Sequence, residues 1–239
     1  MFKYIWKMIP LILRLKKTIY KEIAKAQDVI VETLYDVFDR AVLHGGTAIW
    51  RCYNGKRFSE DVDVYISKDI KKIKKFFELL ERKGFIIEKK KIGENSIYST
   101  LNINRTRVRF ESLFKKIKGS LNEYETVEGN FLTVYALTQE ELIKEKVSAY
   151  LKRLKIRDLY DIFFLLQQIE DISSIRGDLA ELIHKFKKPF DEKELRVLIY
   201  EGLVPGSDDM LIYIKRRLWK WVKKNILSKL NHYSQKALL

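Results

Sequence analysis

The stretch H-G-G-T-A-I-W-R-C-Y-N-G-K-R-F-S-E-D-V-D-V-Y-I, residues 44–66, decides how this chain is read. Gly45 and Gly46 stand side by side and open a short helical pattern over residues 47–53. Small residues at a helix start let a phosphate approach the free main-chain N–H groups there. Thr47 adds a hydroxyl at the same place, and Asn54-Gly55 signals a turn. The segment D-V-D-V-Y-I, residues 61–66, alternates and is rich in β-branched residues, which predicts a strand. Side chains at i and i+2 of a strand share a face, so the Asp61 and Asp63 carboxylates stand side by side. Two such charges repel at low effective dielectric unless a cation joins them. Oxygen donors on a strand suit Mg²⁺, which bridges carboxylates and nucleotide phosphates.

A third carboxylate lies further along the chain. Residues 106–111 alternate, with Arg107, Arg109 and Glu111 on one face and Val108 and Phe110 on the other. Glu111 joins Asp61 and Asp63 if the two strands pair. Three carboxylates from two strands can hold one or two Mg²⁺ ions for in-line phosphoryl chemistry. Taken singly, a glycine pair is usually a turn and a D-x-D a solvated strand end. The ordered set (glycine pair, hydroxyl, helix, basic turn, acidic strand, later strand carboxylate) is what points to a site.

Around this centre the periodicity changes once. Residues 11–40 carry helical spacing, with Leu11, Ile12, Ile19, Ile23, Ile30, Leu34, Tyr35 and Phe38 on one face. Residues 69–83 form a helix stopped by Gly84, with Lys71, Lys72, Lys74 and Lys75 as its wet face. Residues 85–88, 97–103 and 108–114 are expected strands. Beyond about residue 130 the pattern becomes helical, at 138–153, 157–169, 174–187, 191–201 and 208–230. The acidic first turn Gln139-Glu140-Glu141 suits the helix dipole. The fold class expected is α+β: a mixed β-sheet with helices over residues 1–135, followed by a helical C-terminal domain over residues 136–239.

The 239 residues carry a formal net charge of +15, and 46% of them are hydrophobic. Disorder is excluded by that hydrophobic content, and collagen-like or low-complexity chains by only ten Gly and three Pro. The single cysteine, Cys52, gives no intramolecular disulfide framework. The apolar run from Met8 to Leu13 is far short of the roughly 20 residues of a membrane span. Lys3 and Lys7 precede it, but Arg14, Lys16 and Lys17 follow it, and no small-residue cleavage site appears. A soluble, cytoplasmic protein without a membrane partner is expected. The charge favours a polyanionic partner, or serves solubility.

With these residues in view, the chain resembles the nucleotidyltransferase superfamily, whose signature is a G-[GS] turn followed about a dozen residues later by a strand D-x-[DE]. More narrowly, G-G-T-A-I-W-R-C-Y with R-F-S-E-D-V-D resembles the AbiEii/AbiGii toxin family, nucleotidyltransferases of toxin–antitoxin and phage-defence systems. Thr47 stands where the superfamily more often has Ser, and Arg57 and Ser59 match that family's R-x-S. A second block, residues 140–166, is similar to its E-L-x-x-x-K followed by R-D-x-Y-D, matched at Lys146, Arg157, Asp158, Tyr160 and Asp161. The resemblance covers about residues 25–170. It implies that Lys146 binds nucleotide phosphate and that Asp161 supports catalysis or orients that lysine. It also implies an NTP substrate, an RNA acceptor such as the tRNA 3′ end, and a cognate antitoxin protein. A cleft between the halves is expected, with Lys146 and Asp161 facing Asp61 and Asp63. The competing reading is an inactive nucleotidyltransferase fold that only binds RNA or a partner; three intact carboxylates argue against it, since unpaired acids are costly without metal.

Other candidates are weaker. Lys152 and Lys155 flank the second block, and His44 precedes the glycines, where a structural role is expected. Trp50, Tyr53 and Phe58 read as core, and Tyr98 and Tyr160 as base-stacking candidates. Lys215, Arg216, Arg217, Lys220, Lys223 and Lys224, beside Trp219 and Trp221, suit either an RNA backbone or a solvated helix with its tryptophans turned inward. His44, His184 and His232 form no metal-ligand cluster by spacing.

Overall fold

The computed structural model describes residues 9–236, with side chains through residue 225. Lys3, Lys7 and Met8 and the side chain of His232 lie outside the described residues. The chain divides into two compact units, residues 1–138 with 197–202, and residues 139–196 with 203–239.

In the first unit, α1 (Leu11–Arg14) and α2 (Thr18–Tyr35) precede β1 (Val42–His44), α3 (Gly45–Cys52) and β2 (Asp61–Ile66). Then follow α4 (Ile70–Arg82), β3 (Ile86–Ile92), β4 (Ser96–Ile103), β5 (Thr106–Phe114), β6 (Ser120–Glu125) and β7 (Phe131–Ala136). The seven strands form one sheet in the order β3-β4-β5-β2-β1-β7-β6. The β2–β5 and β1–β7 pairs are parallel and the others antiparallel, so the sheet is mixed.

Three differences from the sequence reading have local causes. The helical spacing of residues 11–40 is interrupted, because Leu15 and Lys17 adopt extended backbone between α1 and α2. Val42–His44, to which the periodicity assigns no element, form strand β1. Residues 115–137, to which periodicity assigns no element, hold the β6–β7 hairpin. β6 sits at the sheet edge and buries only Tyr124 and Glu125 among its six residues, so it carries no apolar alternation to read.

One face of the sheet is built for packing. Val62, Val64 and Phe110 are fully buried. Phe76 of α4 lies 4.9 Å from the Phe110 ring, and Phe77 packs edge-on against Phe76 at 5.3 Å. Lys71, Lys74 and Lys75 stay exposed on the other side of α4, as its amphipathic pattern requires. Alternation then forces Asp61, Asp63, Arg109 and Glu111 onto the opposite face of the sheet.

A buried ion pair ties α2, α3 and the β6–β7 hairpin together. Asp28 of α2 accepts hydrogen bonds from the Arg51 guanidinium, from the Tyr124 hydroxyl at 3.0 Å and from the Val127 N–H at 2.7 Å. The Arg51 guanidinium lies 4.8 Å from the Trp50 ring and 4.7 Å from the Tyr124 ring. Trp50 and Phe58 are core, as expected, with Phe58 stacked on Tyr20 at 3.8 Å.

The second unit is helical: α5 (Gln139–Arg153), α6 (Ile156–Leu166), α7 (Arg176–His184), a 3₁₀ turn at Glu192–Glu194, and α9 (Ser207–Lys236), with the single-turn α8 (Leu195–Leu198) at the point where the chain returns to the first unit. Its core includes Leu142, Ile143, Val147, Leu159, Ile162, Leu165, Leu179 and Ile214. The helix expected over residues 191–201 is broken, since residues 197–202 leave to join the first unit. There Phe58 N–H donates to Leu198 O at 2.9 Å and Tyr200 N–H to Lys56 O at 3.2 Å. No helix among the described residues is long and apolar enough to cross a membrane.

Removing one partner of a buried ion pair strands the other charge, at a cost of about 3–5 kcal/mol. Asp28→Ala is therefore expected to lower the urea midpoint by that equivalent, and an unchanged midpoint would show that Arg51 needs no counter-ion.

Candidate functional site

The site begins at a turn that only glycine fits comfortably. Gly45 follows His44, opens α3 and has φ +68°, a left-handed conformation that other residues adopt at a cost. A Cβ at Gly45 would run into the Asp63 carboxylate, so α3 starts directly against the acidic strand. A Cβ at Gly46 would sit 2.7 Å from the Arg57 guanidinium and against the Ser59 hydroxyl. The R-F-S segment is thus folded onto the glycine turn. The Ser59 carbonyl is held by Gln27 Nε2 at 2.9 Å, and the Arg57 Nη1 donates to Phe58 O at 2.9 Å. Thr47 is fully buried, and its hydroxyl donates to the Asp61 carbonyl oxygen. That bond fastens the start of α3 to the start of β2.

The register across the sheet sets the charges. β2 and β5 pair in parallel, with Asp61 opposite Arg109 and Asp63 opposite Glu111. Antiparallel neighbours extend each row, placing His44 opposite Asp63, Tyr98 opposite Glu111 and Thr100 opposite Arg109. Two rows therefore cross one face: His44–Asp63–Glu111–Tyr98 and Asp61–Arg109–Thr100. The His44 ring stacks on Tyr65 at 4.0 Å, which fits a structural role.

Arg109 is the residue the sequence reading missed. It grips Asp61 with two parallel bonds, Nε to Oδ1 at 2.7 Å and Nη2 to Oδ2 at 2.6 Å. The signal was present, because Arg109 lies two residues before Glu111 as Asp61 lies two before Asp63. Assigning it needed the parallel register. The expected cluster of three carboxylates is thus an Asp63–Glu111 pair beside an Asp61–Arg109 pair. Among the described residues, no group of three His, Cys, Asp or Glu side chains stands ready as a metal cage. Glu111 is held above the usual carboxylate range, chiefly by desolvation and then by the charges of Asp63 and Asp61.

In the second unit, Lys146 is nearly buried on α5. Its Nζ lies 2.8 Å from Asp161 Oδ2 and 3.5 Å from Asp158 Oδ1, both on α6. Arg153 closes on Asp158 with bonds of 2.7 and 2.8 Å. Two cations and two acids are thereby matched, with Lys146, Asp158 and Asp161 in the interior and Arg153 exposed. Arg157 is half-buried in the first turn of α6. Tyr160 is 5% exposed and rests 6.2 Å from Phe164, which makes it core and corrects its reading as a stacking residue. Lys155 is drawn to Asp191 at 3.3 Å, and Lys152 is exposed. Trp219 is 62% exposed, so it is not turned inward, whereas Trp221 is half-buried under Arg176 at 5.2 Å.

Glu111 is protonated to a higher pH when folded than when unfolded. Its stabilising contribution is therefore present in acid and lost as pH rises past the ordinary carboxylate range. Glu111→Gln is expected to stabilise the protein near neutrality, with the gain fading in acid, where Glu111 is itself protonated. Thermal melts at neutral and acid pH check this, and a gain that does not depend on pH would contradict it.

A profile of the family described as "Nucleotidyl transferase AbiEii toxin, Type IV TA system" matches residues 31–231. No curated protein matched the sequence significantly. Among solved structures, JHP933 from Helicobacter pylori is similar at a TM-score of 0.60 and 19% identity, over 93% of this chain and 99% of that one. MenT4, a nucleotidyltransferase toxin from Mycobacterium tuberculosis, is similar at 0.58 and 18% identity, over 82% of this chain and 81% of that one. At such identities these structures show a shared fold.

Proposed function

Because the chain belongs to the AbiEii nucleotidyltransferase toxin family, we propose that it moves a nucleoside monophosphate from an NTP to an RNA hydroxyl, with Mg²⁺ required and the tRNA 3′ end as acceptor. The chain is a nucleotidyltransferase by that membership. The observation that supports the nucleotide and metal part of this reading is the closeness of the glycine turn to Asp63, which stands in register with Glu111.

The residues fit a divalent cation in two respects. The donors are hard carboxylate oxygens, and Gly45 keeps open the space beside Asp63 that a Cβ would fill. Asp63 and Glu111 are the residues placed to hold it, and Asp61 would join them on release from Arg109. A bound cation would offset the charge of the triphosphate and of the transferring group.

The N–H groups at the start of α3, around Gly46 and Thr47, face the β- and γ-phosphates, and the Thr47 hydroxyl serves the fold by holding Asp61 O. Arg57, beside Gly46, adds positive charge. The acceptor oxygen bonds to the α-phosphorus as the bond to the leaving pyrophosphate breaks. The resemblance assigns Lys146 to the triphosphate, with Asp161 as its anchor; the 2.8 Å bond between them supports the anchoring role. A cognate antitoxin is the expected protein partner, phage defence the expected setting, and the cytoplasm the compartment that supplies NTP and tRNA.

Incubation with labelled NTP, Mg²⁺ and total RNA is expected to label RNA 3′ ends. Asp63→Asn should reduce this by at least about a hundredfold, because it removes a carboxylate that would hold the charge-neutralising cation. Label on neither RNA nor protein would sink the proposal, and label on protein would redirect it. Lys146→Arg keeps the charge but changes the donor geometry, and should raise KM for NTP roughly tenfold. A folded variant with ordinary KM would remove Lys146 from the triphosphate.

A further inference from the structure

The three-lysine run at residues 89–91 lies on the edge strand β3, and the register divides it between the two faces of the sheet. Lys89 pairs with Thr100, Lys90 with Ser99 and Lys91 with Tyr98. Tyr98 in turn pairs with Glu111, and Thr100 with Arg109. Lys89 and Lys91 therefore belong to the same face as Asp61, Asp63 and Glu111, and they complete the two rows as Asp63–Glu111–Tyr98–Lys91 and Asp61–Arg109–Thr100–Lys89. Lys90 belongs to the other face, where its Nζ lies 4.9 Å from the Phe77 ring centre.

The Tyr98 ring is half-buried, with the Lys89 Nζ 5.0 Å from its centre, and both lysines are exposed. An aromatic platform flanked by cations, one strand away from the carboxylates, has the features of a single-stranded nucleic-acid site. Lysines on an exposed edge also discourage strand pairing between molecules. That role would be served equally by all three, so it does not account for the ring held between the acids and the cations. Charge complementarity selects the occupant: the two lysines continue the acidic rows outward, where the phosphates of a strand ending at the acids would lie.

We propose that the β3–β4 hairpin is the seat of the acceptor RNA strand, with a base near its 3′ end stacked on Tyr98 and the adjoining phosphates held by Lys89 and Lys91. An exposed cation–π contact is weaker than base stacking, so an arriving base displaces the Lys89 ammonium toward the phosphate that follows it. This rests on the reading of RNA as acceptor, and it deepens that reading by naming the surface.

The test separates the two. Binding of a short 5′-fluorescent single-stranded RNA is measured by anisotropy without NTP or Mg²⁺, so it does not depend on catalysis. Tyr98→Ala should weaken binding roughly tenfold, while Tyr98→Phe, which keeps the ring, should bind as the unaltered protein does. Lys89→Ala/Lys91→Ala should reduce the slope of log affinity against log salt by about 1.4, the contribution of two phosphates on a single strand. Lys90→Ala removes an equal charge from the same run, and should leave affinity unchanged. If Lys90→Ala weakens binding as much per charge as the double variant, the effect is general charge and the proposal fails. It fails equally if Tyr98→Ala binds normally, if Tyr98→Phe loses affinity, or if transfer proceeds to a protein acceptor that none of these variants affects. Transfer assays that show no activity, alongside these binding losses, would overturn the catalytic reading and leave the RNA seat standing.

Discussion

The parallel pairing of β2 with β5 is the constraint on which the site depends. One residue of slip would turn Arg109 and Glu111 into the Phe76–Phe110 core and bring Phe110 to the acidic face. The core forbids that. Val62 is fully buried, as is Phe110 beside Phe76 of α4, and the energy of keeping them there holds the polar residues in register. Chemistry on one face is therefore positioned by oil on the other. Thr47 adds the longitudinal constraint, since its bond to Asp61 O fixes where the glycine turn meets the strand.

Legibility in the sequence follows the range of each interaction. The glycine turn, the D-x-D strand and the Arg107–Arg109–Glu111 face could be read because each is a local pattern of period 2 or a short motif. That Glu111 would lie beside the acidic pair could be read only as a condition on pairing, and the β2–β5 register fulfils it. The grip of Arg109 on Asp61 could not be read, because two residues 48 apart meet only through that register. Tyr160 was misread for a related reason. Its helix position is compatible with either face, and only tertiary packing beside Phe164 decides it. The β6–β7 hairpin escaped because an edge strand that buries two of its residues carries almost no hydrophobic signature.

The charge of the protein now has internal structure. A formal +15 suggested a polyanion without saying where it would meet the chain. On the sheet, acids occupy the middle of one face and lysines its edge strand, while the Lys71–Lys75 run lies on the wet side of α4. In the second unit, Lys146 and Arg153 are cancelled locally by Asp158 and Asp161. Some of the positive charge, at Lys146, is thus used inside the protein, and the net figure combines that use with solubility and ligand attraction.

The return of residues 197–202 to the first unit has a consequence for how this protein comes into being. The loop carrying Arg57 and Ser59 is bridged at Arg57 to Ile199, and Lys56 meets Glu201 at 2.8 Å. A ribosome adds residues at about 5–20 per second, so this loop waits several seconds for the segment that pins it. Loops closed by contacts so distant in sequence are slow to form and late to settle. The segment that lies against the glycine turn is thus pinned only after residues 197–202 have been made.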